Sequence, residues 1–294
     1  MRFLIAISSI EYSEPTLRVG LEIARAFKAC VTVACVGNKP SSFAMDQVRL
    51  AQESMERWDF DQPAVDVLEW AYDYLVSFGF VKEGSVSAGF QKTLLSERAG
   101  DRGEINLEGI FCDRVSLILR YGDIISELRD EVNKHKYEVT IIGGSQKRRM
   151  AHDLVQFIDS SILVIRNFDF NQPYRLLLAV DDSRGTLKAV NYGIQIASAL
   201  GVEADVLTVS KRKKFGPGYL GASERACRYL ENAGVSHERQ LKIGDPATVI
   251  MESAGANDII VMGVSGQNPF KKFFVGSKPL KVLSEGRGTV LIVK

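Results

Sequence analysis

The chain is written twice, and that constrains its fold more than any other feature. "RFLIAISSIEYSEPTLRVGLEIARAFKACVTVACV", Arg2 to Val36, aligns without a gap on "RLLLAVDDSRGTLKAVNYGIQIASALGVEADVLTV", Arg175 to Val209. Leu4, Ala6, Gly20, Ile23, Ala24, Ala26, Val33 and Val36 meet identical residues at Leu177, Ala179, Gly193, Ile196, Ala197, Ala199, Val206 and Val209. Each copy reads strand, helix, strand. "FLIAI" and "LLLAV" are unbroken apolar runs of strand length, as a strand buried on both faces requires. Leu17, Leu21 and Ala24 recur at helical spacing, as do Val190, Ile194 and Ala197.

The remainder of each copy matches as well. "RYGDIISEL" parallels "KIGDPATVI", "EVTIIGGS" parallels "DIIVMGVS", and the copies close on "SILVIRN" and "TVLIVK". Strands that alternate with helices predict an α/β fold with right-handed crossovers. The expected architecture is two tandem doubly wound domains, 1–168 and 173–294, each a five-stranded parallel sheet with helices on both faces. The polar stretch "NFDFNQP" joins them. The first copy is the longer. Part of its excess reads as helix, through "FAMDQVRLAQESMERW" and "VDVLEWAYDYLVSF", and part as an insertion near 79–109, a hairpin or a mobile flap.

Composition narrows the partners. Lys plus Arg number 37 against 36 Asp plus Glu, a formal charge of +1. That balance excludes a general attraction for nucleic acid or an anionic membrane, so any anion site must be local. The run "KRKK", Lys211 to Lys214, reads as a solvated loop edge. No apolar run approaches the roughly 20 residues of a membrane span. The opening "MRFLIAISSIEYSEP" reads as a buried strand rather than a signal peptide. Cys30, Cys35, Cys112 and Cys227 form no C-x-x-C pair, so free thiols and a cytoplasmic location are expected. His135, His152 and His237 lack metal-ligand spacing, and no metal site is expected.

In an open parallel sheet a ligand binds beyond the carboxyl ends of the strands, where the strand order reverses. Two loops of the second copy should meet there. One carries Asp181, Asp182 and Ser183, and the other is "MGVSGQNPFKKFFVGS", Met262 to Ser277. Gly263 and Gly266 allow sharp turns and close approach of a ligand. Gly276 and Ser277 precede an expected helix, with Ser277 suited to its N-cap and Pro279 to its first turn. A helix N-terminus offers free N–H groups and partial positive charge to phosphate, although Pro279 removes one donor. Lys271, Lys272 and Lys278 add charge.

The spacing Gly263-x2-Gly266-x9-Gly276-Ser277 resembles the G-2x-G-9x-G-(S/T) motif of the nucleotide-binding universal stress proteins. "LLLAVDDS" resembles that family's first strand and its aspartate, and the likeness covers nearly the whole chain as two tandem domains, the insertion apart. The resemblance implies a stress-response regulator that binds ATP or AMP, with or without magnesium. It places Asp181 against the adenosine moiety, with Ala179, Val180, Val209 and Met262 beside the base. Gly263, Ser265, Gly266, Gly276, Ser277 and Lys278 would surround the ribose and phosphates. It also implies an internal pseudo-dimer, with a homodimer as a further option and an unidentified protein partner. In the first copy Ser8 stands in place of the aspartate and "GGSQKRRMAHDL" in place of the glycine loop, so an equivalent site is not expected there.

Plainer readings stand beside these. Asp181 and Asp182 could cap the next helix, or form an acid/base pair. Met262 to Ser277 could be a loop with a helix cap and no ligand. Phe270, Phe273 and Phe274 read as packing residues, and "QKRRM", Gln146 to Met150, as a solvated turn. Two other functions compete: a scaffold acting by dimerisation, and an enzyme of adenylyl or phosphoryl transfer with at most slow ATP hydrolysis. The chain has no H-x-G-H signature, no Walker lysine motif and no histidine near the glycine loop.

Overall fold

Among the described residues, eleven strands form one continuous sheet, in the order β3-β4-β2-β1-β5-β6-β11-β10-β7-β8-β9. The computed structural model describes residues 1–37, 63–82, 84, 102–144, 148–264, 277–286 and 288–294. The first half contains β1 (Arg2–Ile7), α1 (Ile10–Ala26), β2 (Cys30–Gly37), α2 (Pro63–Ser77), β3 (Arg102–Leu107), β4 (Val115–Tyr121), α3 (Ile124–His135), β5 (Val139–Gly143), α4 (Arg148–Phe157) and β6 (Ser161–Ile165). The second contains β7 (Leu176–Ala179), α5 (Arg184–Leu200), β8 (Ala204–Ser210), α6 (Pro217–Asn232), β9 (Arg239–Ile243), α7 (Pro246–Ser253), β10 (Ile259–Gly263), α8 (Ser277–Glu285) and β11 (Thr289–Val293).

The α/β class and the parallel pairing follow the repeat. In each half the first strand lies centrally: β1 pairs in parallel with β2 and β5, and β7 with β8 and β10. Two apolar layers cover the faces. One gathers Leu17, Leu68, Val190 and Leu230 from α1, α2, α5 and α6. The other gathers Leu128, Leu154, Ile250 and Val282 from α3, α4, α7 and α8. The matched "YGD" and "IGD" turns are built alike. Gly122 and Gly244 both take φ +152°, a region that favours glycine, and the following aspartates cap α3 and α7.

Two features go beyond the expected pair of five-stranded sheets. The first is β3, which the insertion contributes. It runs antiparallel to β4, with Arg102 opposite Arg120 and Leu107 opposite Val115. Of the two forms expected for the insertion, this part takes the hairpin, while residues 85–101 lie outside the described residues. A covered edge explains a difference between the copies. β4 is "VSLILRY" and mostly buried, whereas its counterpart β9 is "RQLKI" at the open edge and mostly exposed. Glu131 of α3, with its side chain 0% exposed, binds this added strand to the sheet. It accepts from Arg102 Nε at 3.0 Å, Arg120 Nη1 at 2.8 Å and Tyr137 Oη at 3.1 Å.

The turn expected at Gln146 to Met150 is corrected in part: Arg148–Met150 open helix α4, and Gln146 and Lys147 lie outside the described residues. Buried Ala151, Leu154 and Val155 supply the helical face that seats α4 on the sheet. "VDVLEWAYDYLVSF" lies within α2 as expected except for its last residue, Phe78, and "FAMDQVRLAQESMERW" lies outside the described residues.

The second feature is the junction of the halves. β6 pairs antiparallel with β11, Leu163 directly opposite Leu291, and these two leucines are equivalent in the repeat. The contacts around them are reciprocal. Arg166 N–H donates to Thr289 Oγ1 at 3.2 Å, and Lys294 N–H to Ser161 Oγ at 3.1 Å. Arg166 Nη1 donates to the carbonyls of Leu283 and Gly286, at 2.7 and 2.9 Å, at the end of α8. Lys294 Nζ donates to Val155 and Ile158, at 2.6 and 2.5 Å, at the end of α4. Each strand thus ends in a cation that caps a helix of the other half, where the helix dipole is negative. We predict that Arg166→Met lowers the unfolding free energy by about 2 kcal/mol, because two charge-assisted bonds are lost from a buried site. Urea denaturation checks it; an unchanged midpoint would show that the junction does not depend on the cap.

Candidate functional site

In the second half β7 lies between β8 and β10, where the strand order reverses. A cleft opens beyond their carboxyl ends. Ala179, Leu207, Val209 and Met262 form its apolar floor. Pro246 and Ile250 of α7 wall one side, and Lys278 and Pro279 bring the first turn of α8 to it. Val180, Asp181, Thr186 and Gly263 complete the lining.

The geometry gives the two oxygens of Asp181 different roles. Oδ1 accepts from Ser183 N–H at 3.0 Å and from Thr186 Oγ1 at 2.7 Å, which holds the opening turn of α5. Oδ2 lies 3.7 Å from Lys278 Nζ across the cleft. Burial by itself raises the pKa of this carboxyl. The hydrogen bonds from Ser183 and Thr186 and the Lys278 charge outweigh burial and hold it below the usual range. The cleft therefore presents an ionised carboxylate and an ammonium over an apolar floor.

Gly263 is required by the fold itself. A Cβ there would lie 2.4 Å from the carbonyl carbon and oxygen of Gly185, and a Cβ on Gly185 would lie 2.3 Å from Val264 O. The end of β10 and the first turn of α5 thus approach backbone to backbone, which brings Thr186 to Asp181.

The structure brings together seven of the residues expected from sequence: Ala179, Val180, Asp181, Val209, Met262, Gly263 and Lys278. Ser277 opens α8 beside Lys278. The Ser277 side chain lies outside the described residues, as do Ser265, Gly266, Gly276, Lys271, Lys272, Phe270, Phe273 and Phe274. Sequence reasoning missed Thr186, Leu207, Pro246, Ile250 and Pro279 as lining. A signal existed for Thr186, a hydroxyl one turn past an aspartate at a helix start. None existed for Pro246 and Ile250, because their distance from β7 is set by helix packing. In the first half Ser8 has a hydroxyl where Asp181 has a carboxylate, and its N–H donates to Ser13 Oγ at 3.0 Å.

A doubly wound sheet with a cleft at its switch point defines the class: an α/β domain whose cleft lies where such sheets usually take their ligands. Residues 174–294 match the model of the Universal stress protein family, and this half is a domain of that family. The whole chain shares its fold with tandem proteins. A functionally unknown protein from Pseudomonas aeruginosa PAO1 is 13% identical, with a TM-score of 0.59, covering 100% of this chain and 92% of that one. A universal stress protein from Archaeoglobus fulgidus DSM 4304 is 16% identical, with a TM-score of 0.57, covering 100% and 98%. A universal stress protein family protein from Arabidopsis thaliana, solved with AMP bound, is 17% identical over 42% of this chain and 91% of its own, at a TM-score of 0.32. No curated protein matches the sequence. No helix among the described residues is long and apolar enough to cross a membrane.

Proposed function

We propose that the C-terminal half binds an adenine nucleotide, ATP or AMP, in the Asp181–Lys278 cleft, and that the protein acts as a nucleotide-responsive regulator. The observation that carries this reading is the pairing of opposite charges over an apolar floor. Val209 and Met262 offer a surface for a planar base. Asp181 Oδ2 is placed to accept from ribose hydroxyls. Lys278 and the first turn of α8 suit phosphate. A carboxylate held below its usual pKa range is a weak proton acceptor, which favours binding over general-base catalysis at Asp181.

Charge-assisted hydrogen bonds contribute about 1.5–3 kcal/mol each, and association costs about 4–15 kcal/mol. Affinity in the micromolar range is expected. Calorimetry on nucleotide-stripped protein should show saturable binding of ATP or AMP, and Lys278→Ala should weaken it about tenfold or more. If the wild type gives no saturable heat with either nucleotide, this reading is wrong.

A further inference from the structure

A second, larger cleft adjoins the first and shares Val209, Pro246 and Lys278 with it. The basic run that reads as a solvated loop edge contributes to its wall. Lys211, Arg212 and Lys214 are exposed, yet all three line this cleft. With Lys278 they set four cations against three carboxylates, Asp182 in the lining, Asp245 beside Lys211 and Asp181 beside Lys278. The whole chain carries a formal charge of only +1, so the excess is local.

The cations are not equally engaged. Lys211 lies 3.6 Å from Asp245, and Lys278 lies 3.7 Å from Asp181. Among the described residues no carboxylate is paired with Arg212 or Lys214. The cleft also has aromatic walls: the half-buried Phe215 and Tyr219 flank the start of α6. Burial raises the Tyr219 phenol, Asp182 and Asp181 add to that rise, and Arg212 opposes it, so the ring stands among charges from both clefts. α6 opens at Gly216 with no side-chain cap.

A phosphate chain alone would match the cations and leave the rings unused. A nucleoside beyond the phosphates matches both, since a base can stack on an aromatic ring and on a guanidinium plane. On the reading that the first cleft binds an adenine nucleotide, we infer that the site takes a dinucleoside polyphosphate. One nucleoside lies in the Asp181 cleft, the phosphates cross at Lys278, and the second nucleoside lies against Tyr219 and Arg212.

The test is calorimetry on the full, nucleotide-stripped chain with ATP, adenosine tetraphosphate and diadenosine tetraphosphate. The dinucleotide should bind about tenfold or more tighter than both mononucleotides. Tyr219→Ala and the double variant Arg212→Ala/Lys214→Ala should each remove that margin, with ATP affinity and the urea midpoint unchanged. Equal affinity for ATP and the dinucleotide overturns the inference and leaves the nucleotide reading standing. Adenosine tetraphosphate binding as tightly as the dinucleotide overturns the second nucleoside. A margin that survives both variants removes the second cleft from the account. No binding of any of the three overturns this inference and the nucleotide reading together.

Discussion

Glu131→Gln lowers the unfolding free energy by about 3 kcal/mol, the cost of leaving buried charged donors without their acceptor. Its carboxylate is 0% exposed and accepts four hydrogen bonds, three from Arg102 and Arg120 and one from Tyr137. An amide points its NH2 group either at two arginine donors or at Arg102 Nη2 beside a Tyr137 hydroxyl that can accept, so in both orientations a donor faces a donor in a dry site. The two arginines keep Glu104 and Glu127 as partners, at 2.6 and 2.7 Å. The loss is therefore one of geometry at a shared acceptor rather than of all charge compensation.

Burial by itself would raise the Glu131 pKa, but the bonds and charge of Arg102 hold it below the usual carboxylate range. A carboxyl lowered in the folded state contributes stability above its unfolded pKa, and that stability is lost as pH falls through the folded value. The gap between wild type and variant should therefore narrow in acid. Urea titrations at neutral and acid pH measure it. A variant within about 0.5 kcal/mol of wild type at pH 7 would show that β3 is held by its backbone ladder alone.

Gly263→Ala should cost about 3 kcal/mol, at the upper end for overpacking. The added carbon meets backbone atoms of Gly185 at 2.4 Å, and backbone cannot rotate aside as a side chain can. Gly185→Ala makes the reverse clash with Val264 O at 2.3 Å and should cost a similar amount. Both separate α5 from β10, so the double variant should cost less than the sum of the two. The displaced turn carries Thr186, whose hydroxyl holds Asp181 Oδ1, so binding in the cleft should fall as well. Gly288→Ala is the control: its Cβ would meet nothing nearer than 3.6 Å, and a change within about 0.5 kcal/mol is expected. Equal denaturation midpoints for Gly263→Ala and Gly288→Ala would contradict the close packing.

The repeat made much of the fold legible. Apolar runs of strand length, helical periodicity and "GD" turns are local signals, and a second copy checks each of them. The cleft was legible where its residues sit at strand ends, as Asp181 and Met262 do. It was not legible where a helix delivers the residue from a distance, as α7 delivers Ile250. The edge strand β3 lies in a stretch whose partner cannot be read from its own residues. The apolar "VSLIL" of β4, set against the polar "RQLKI" of β9, was the available hint that one edge is covered.

Sequence by itself determined the α/β class, the duplication and the strand ends that carry Asp181 and Gly263, because periodicity and turn chemistry act over a few neighbouring residues. Only tertiary structure decided that β6 and β11 join the halves into one sheet, that Arg166 and Lys294 exchange helix caps, and that a basic loop walls a second cleft. Those outcomes depend on which edges and charges meet across distant parts of the chain, and no local pattern encodes such a meeting.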